Sequence, residues 1–120
     1  MTQPTRVYIA GPMSGLPGLN HAAFNAAAAA LRGAGFDAVN PVDLNPPPPA
    51  NLDSLDEHQR LQLWRQCMRR DLAAMLGCDV VVLLTGWTRS RGAWLEQGLA
   101  DDLGIPVWPY SEFMQERKAA

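Results

Sequence analysis

The sequence offers few of the features that usually place a protein. Cysteine is scarce: Cys67 and Cys78 are the only two in 120 residues. Their spacing fits neither a disulfide framework nor a zinc site, so a reduced, cytoplasmic setting is expected, with both thiols as small buried hydrophobes. Basic charge is not in excess; the formal net charge is -2, which argues against duplex nucleic acid as a partner. No apolar run approaches the length needed to span a bilayer. The opening MTQPTRVYIA lacks the apolar core of a signal peptide, so no membrane association is expected. His21 and His58 stand alone near helix starts, and no metal site is expected from them. Neither G-x-G-x-x-G nor a P-loop occurs, which removes the common dinucleotide and triphosphate motifs.

What is present is a chain 48% hydrophobic, enough for one compact domain over residues 1–120. Short apolar runs alternate with helical patterns. Arg6–Ala10 reads as a first strand, running into the glycine-rich GPMSGLPG, whose backbone can approach a ligand closely. Asn20 is expected to cap a helix over residues 21–32. A second strand is expected at Phe36–Asn40. The segment Pro41–Asp53, with consecutive prolines at 46–49, reads as an extended loop without helix. Ser54 and Glu57 have capping-box spacing ahead of a long helix to about Leu76. That helix has two apolar faces, one for the sheet and one wide enough for a partner subunit. Val80–Leu84 is β-branched and apolar, as a strand covered on both faces should be. A helix over about 91–103 follows, then a strand at Ile105–Trp108 and a short last helix capped by Ser111. The class is α/β with a parallel sheet, and right-handed crossovers give strand order 2-1-3-4. Ligands bind such sheets at the switch point, here between the first and third strands. The Gly11 loop and the Thr85–Ser90 loop both emerge there.

The candidate side chains at that point are Tyr8, Asp71, Ser90 and Glu96, with Gly11 and Ser14 from the first loop. Glu96 is a carboxylate on a helix otherwise small and apolar. Asp71 on the long helix can face the same crevice. Two carboxylates flanking a reactive carbon suit glycosidic bond cleavage. Ser90 at a helix start, flanked by Arg89 and Arg91, suits an anion such as phosphate. Each has an ordinary alternative: Asp71 as a solvated ion pair, Glu96 as an exposed surface residue, Ser90 as a plain N-cap, Tyr8 and Trp87 as core. Trp87 stacking on a base is the functional alternative. Asp101 and Asp102 read as solvated surface.

Three stretches together resemble the nucleoside 2-deoxyribosyltransferase superfamily: Tyr8-Ile9-Ala10-Gly11-Pro12-Met13, Asp71 ahead of Cys78-Asp79-Val80-Val81-Val82, and Ser90-x-Gly92-Ala93-x-x-Glu96-x-Gly98-x-Ala100. The resemblance extends to small phage-associated relatives of uncharacterised function, and the Pro-rich loop departs from the better-known members. It implies a flavodoxin-like or Rossmann-like three-layer sandwich, a homodimer or homotetramer, and a deoxynucleotide or deoxynucleoside as small-molecule partner. It implies no metal or organic cofactor. Glu96 would be the nucleophile on the anomeric carbon, Asp71 would position the sugar or protonate the base, and Tyr8 would orient Glu96. Substrate contacts would come from Gly11, Met13, Ser14, Trp87, Ser90, Arg91 and Gly92. The transferase branch carries an Asp six residues before the nucleophile, whereas the deoxynucleoside-monophosphate N-glycosidase branch carries a Ser. Ser90 therefore points to a 5′-monophosphate and hydrolysis. Base transfer and nucleotide binding without turnover stand as the alternatives. The first loop departs from the expected pattern in having no basic residue for a phosphate.

Overall fold

The computed structural model describes residues 3–119. Four short strands, β1 (Arg6–Ala10), β2 (Asp37–Val39), β3 (Val80–Leu83) and β4 (Val107–Pro109), form one sheet in the order β2-β1-β3-β4. Every pairing is parallel, with Tyr8 of β1 opposite both Val39 and Val81. Among the described residues, five α-helices accompany them: α1 (His21–Gly33), α2 (Pro41–Leu44), α3 (Glu57–Met75), α4 (Arg91–Asp102) and α5 (Tyr110–Ala119). This is the α/β architecture and strand order expected from the alternation of periodicities.

The two faces of the sheet divide the core. Val7, Ile9 and Val82 point to one side, where Phe24 and Leu31 of α1 and Phe113 of α5 cover them. Tyr8, Ala10, Val81 and Leu83 point to the other, against Met75 of α3, Cys78 and Ala100 of α4. Successive residues of a strand face opposite ways, so a strand covered on both faces must be apolar throughout. Each fully buried Phe or Leu contributes about 1.5–3 kcal/mol. Tyr8 is therefore directed to the α3 and α4 side by its place in β1, one residue out of step with Val7 and Ile9.

Several local expectations are corrected. Pro41–Leu44 is a helical turn, although the sequence reading allows no helix in that segment. Pro41 occupies its first position, where a missing N–H costs nothing, and the Asn40 side chain caps it, accepting from the Val42 N–H at 3.1 Å. The capping box of α3 lies at Asp56 and Gln59, not Ser54 and Glu57. Asp56 Oδ1 accepts from the Gln59 N–H at 2.8 Å, and Gln59 Oε1 accepts from the Asp56 N–H at 2.9 Å. Ser54 instead closes a 3-10 turn by donating to the Asn51 carbonyl. Asp and Ser cap helices about equally well, so the spacing fits both registers and tertiary placement selects one. Asn20 does not cap α1 with its side chain; it sits at φ 59° and its Nδ2 donates to the Pro12 carbonyl at 2.9 Å. Ser111 lies inside α5, which starts at Tyr110.

Candidate active site

β1, α3 and α4 bring three candidate side chains, Tyr8, Asp71 and Glu96, together. In α4 the buried positions are Gly92, Ala93, Glu96 and Ala100, spaced to share one helix face. In α3 they are Met68, Asp71 and Met75. Gly92 lets these helices approach: a Cβ there would stand 3.1 Å from Met68 Sδ. Side chains lean toward a helix's N-terminus, so Glu96, in the second turn, is carried back toward the strand ends. There Tyr8 meets it, its hydroxyl donating to Glu96 Oε2.

This carboxylate is enclosed. Glu96 is 5% exposed, Asp71 8% and Tyr8 fully buried. Burial pushes the Glu96 carboxyl up to about 8, against the Tyr8 hydrogen bond, which lowers it, while the Asp71 charge raises it further. Burial likewise pushes Asp71 up to about 6, although the Asn45 hydrogen bond and the Arg70 charge pull it down. The Tyr8 hydroxyl is held far above its ordinary range, by burial first and then by the charges of Glu96 and Asp71, so it remains a donor. The arrangement is a pair of protonatable carboxyls and a fixed phenol in low-dielectric surroundings, the kind of place where pKa values are tuned for proton transfer. Among the described residues, no group of three or more His, Cys, Asp or Glu side chains could hold a metal ion.

A family model for a domain of unknown function, DUF4406, matches residues 5–109. The chain belongs to the DUF4406 family. A search among curated proteins finds no match. Among solved structures, this DUF4406 chain is similar to a 2-desoxiribosyltransferase from Leishmania mexicana, at 23% identity and a TM-score of 0.55. The match covers 87% of this chain and 62% of that one. The likeness is one of fold, and the present chain spans less than two thirds of the other's length.

Within this DUF4406 domain the remaining expected residues fall into three groups. Ser90 caps α4, its Oγ accepting from the Ala93 N–H at 3.1 Å, and Arg91 beside it is stacked over the Trp64 ring at 4.3 Å. Trp87 is half-buried against the core and lies 5.3 Å from Trp94. From the first loop, Met13 packs on the core and Ser14 is exposed. Gly11 has an internal reason to be glycine: a Cβ would come within 2.9 Å of Leu84 Cβ. The two loops do converge, since Gly86, at φ 87°, faces the Pro12 ring closely enough that a Cβ would lie 3.4 Å from Pro12 Cγ.

Sequence reasoning missed Asn45. Its Nδ2 donates to Asp71 Oδ1 at 2.8 Å and lies 3.0 Å from the Pro41 carbonyl, while its Oδ1 accepts from Arg70 at 3.1 Å. No local pattern marks it, because its two side-chain partners, Arg70 and Asp71, lie 25 and 26 residues away. A groove of about 590 Å³ also opens at the carboxyl end of β3, lined by Asn20, Ala27, Leu84, Trp87 and Tyr110 among others. It lies toward α1 and α5, and neither Tyr8, Asp71 nor Glu96 lines it. The buried carboxyls, on the other side of the sheet, are the stronger candidate because only they combine acid–base groups with a fixed orientation.

Proposed function

We propose that this domain cleaves the N-glycosidic bond of a 2′-deoxynucleoside 5′-monophosphate through Glu96. The observation that carries the reading is the buried Tyr8–Glu96 hydrogen bond beside a second buried carboxyl, Asp71. The pair holds one proton, which rests mainly on Glu96 in the empty site and on Asp71 in the reactive form. The ionised Glu96 oxygen then attacks C1′ as the bond to the base breaks, the bond's electrons leave with the base, and the base nitrogen takes the proton from Asp71. Water then attacks the glycosyl ester, returns a proton to Asp71 and frees the Glu96 carboxylate. This is the two-carboxyl logic of retaining glycosidases. Tyr8 holds Glu96 in one rotamer by donating to the oxygen that does not attack. The 5′-phosphate is read by Ser90 and the N-terminal turn of α4. Because Ser90 Oγ already accepts from Ala93, its own proton is left to donate to a phosphate oxygen. An Asp there would repel the phosphate. Arg91, held against Trp64, adds positive charge, and Gly11, Ser14 and Trp87 border the approach in this reading.

The second reading is transfer of the deoxyribosyl group to another base, favoured by the fold shared with a 2-desoxiribosyltransferase. Both use the same covalent step and differ in what attacks the ester. The test is to incubate the chain with each deoxynucleoside monophosphate and measure free base by chromatography. Release that Glu96→Ala abolishes supports cleavage; no release from any of them rejects it. Adding a foreign base to a deoxynucleoside separates transfer from hydrolysis. The domain also self-associates in this reading. Trp94, Leu95 and Leu103, on or just after α4, are 53, 44 and 56% exposed, as is Leu76 after α3 at 52%. The apolar surface thus lies mainly along α4, whereas sequence periodicity favours α3.

A further inference from the structure

The geometry points to Asn45 as a positioning residue: its side-chain amide fixes which oxygen of Asp71 carries the proton that the proposed cleavage delivers to the leaving base. This rests on the reading of Asp71 as the acid. Asn45 Nδ2 faces two acceptors, the Pro41 carbonyl and Asp71 Oδ1, and its Oδ1 faces the Arg70 guanidinium. Turning the amide over would set oxygen against two acceptors and nitrogen against a cation. Its orientation is therefore determined by its neighbours. An N–H donor at Oδ1 keeps that atom carbonyl-like when Asp71 is neutral, because a carbonyl oxygen accepts better than a hydroxyl. The acid proton is thus assigned to Oδ2. When it leaves with the base, the new negative charge is shared with an oxygen that already has an N–H donor, so the carboxylate forms without reorganisation.

The amide is also well anchored from outside α3. It follows α2 directly, and that turn is held by Asn40, 2% exposed, whose Nδ2 donates to Asn25 of α1 at 2.9 Å. Asp71 is thereby gripped from the β2 side of the sheet as well as by its own helix. The other titratable or charged groups that sense or act on Asp71 are Arg70 and Cys67 on α3, Tyr8 on β1 and Glu96 on α4. Of these Arg70 alone is cationic, and it is hydrogen-bonded to the same amide.

The test reads Asp71 directly. The carboxyl carbon of Asp71, assigned by its loss in Asp71→Asn, is titrated by NMR in the wild type, in Asn45→Leu and in Arg70→Met. Removing the N–H donor should raise the Asp71 midpoint clearly in Asn45→Leu. Arg70 is exposed, so Arg70→Met should fold even if Asn45→Leu does not, and it should move the midpoint the same way by less. In base release, Asn45→Leu should lower kcat about tenfold or more, the worth of one hydrogen bond to a charged group, with KM little changed. Asn45→Gln, which retains a donor, should recover part of that loss. An Asp71 midpoint unmoved in every folded variant overturns the assignment, as does a change in KM alone. Because the titration needs no substrate, a moved midpoint without base release counts against the reaction and not against Asn45.

Discussion

Replacing Glu96 with glutamine should stabilise this protein in alkaline solution. The folded state holds the Glu96 proton more tightly than the unfolded chain does, since burial lifts its carboxyl from 4.5 to about 8. The stability this contributes is fully present below pH 4.5 and is lost as pH rises through about 8. A shift of roughly 3.5 units at about 1.4 kcal/mol each corresponds to about 5 kcal/mol. Asp71 adds a loss of the same sign, its carboxyl rising from 3.8 to about 6, worth about 3 kcal/mol. These are large against a typical folding stability of about 5–15 kcal/mol. The wild type should therefore be markedly less stable near pH 9 than near pH 5. Glutamine matches glutamate in shape, accepts from the Tyr8 hydroxyl and never ionises. Urea unfolding near pH 5 should show the two proteins within about 1 kcal/mol, both neutral at that position. Near pH 9 the Gln variant should be more stable by about 3–5 kcal/mol, a midpoint shift of roughly 2 M at a typical slope. Equal or lower stability of the Gln variant at that pH would refute the claim that this carboxylate is buried at the cost of its charge. The experiment needs no substrate, so it tests the site independently of its chemistry.

The rate of base release should follow a bell with limbs near pH 6 and 8, because the productive form of the carboxyl pair holds one proton. In Asp71→Asn the alkaline limb should vanish and the acid limb should lie below pH 8, since the Asp71 charge helps raise Glu96; a profile that still falls at high pH would contradict the pairing. Ser90→Asp should weaken a deoxynucleoside monophosphate about ten- to a hundredfold relative to the free deoxynucleoside, read as the ratio of KM values. Gly11→Ala should cost about 1–3 kcal/mol in urea unfolding, because the added methyl meets Leu84 at 2.9 Å. Asp56→Ala should cost about 1 kcal/mol and Ser54→Ala much less, which checks the capping register of α3. Sedimentation at micromolar concentration should show more than one copy; a monomer would reject self-association through α4.

The strands and the longer helices were legible in the residues because each depends on short-range periodicity, while the helical turn Pro41–Leu44 was not. Val80–Leu83 and Val7–Ala10 lie in strands because largely apolar side chains at successive positions suit a sheet covered on both faces. The helix starting at Arg91 was legible from Ser90 and the small residues Gly92, Ala93 and Ala100, whereas the choice between an inward and an exposed Glu96 was left open until the structure showed it buried. Alternation of the elements then leaves few topologies, and handedness selects among them. Caps were less legible, since Ser54 and Asp56 satisfy the same rule two residues apart, and only the path of the chain into α3 chooses. What tertiary structure alone decided is who meets whom. Tyr8 and Glu96 are 88 residues apart, and Asn45 and Asp71 are 26 apart, yet each pair shares a hydrogen bond. Those contacts require strand, turn and helix to be placed to within a fraction of an ångström, and no local preference of the backbone carries that information. The same placement supplies the desolvation that turns an ordinary glutamate into one that holds its proton near neutrality.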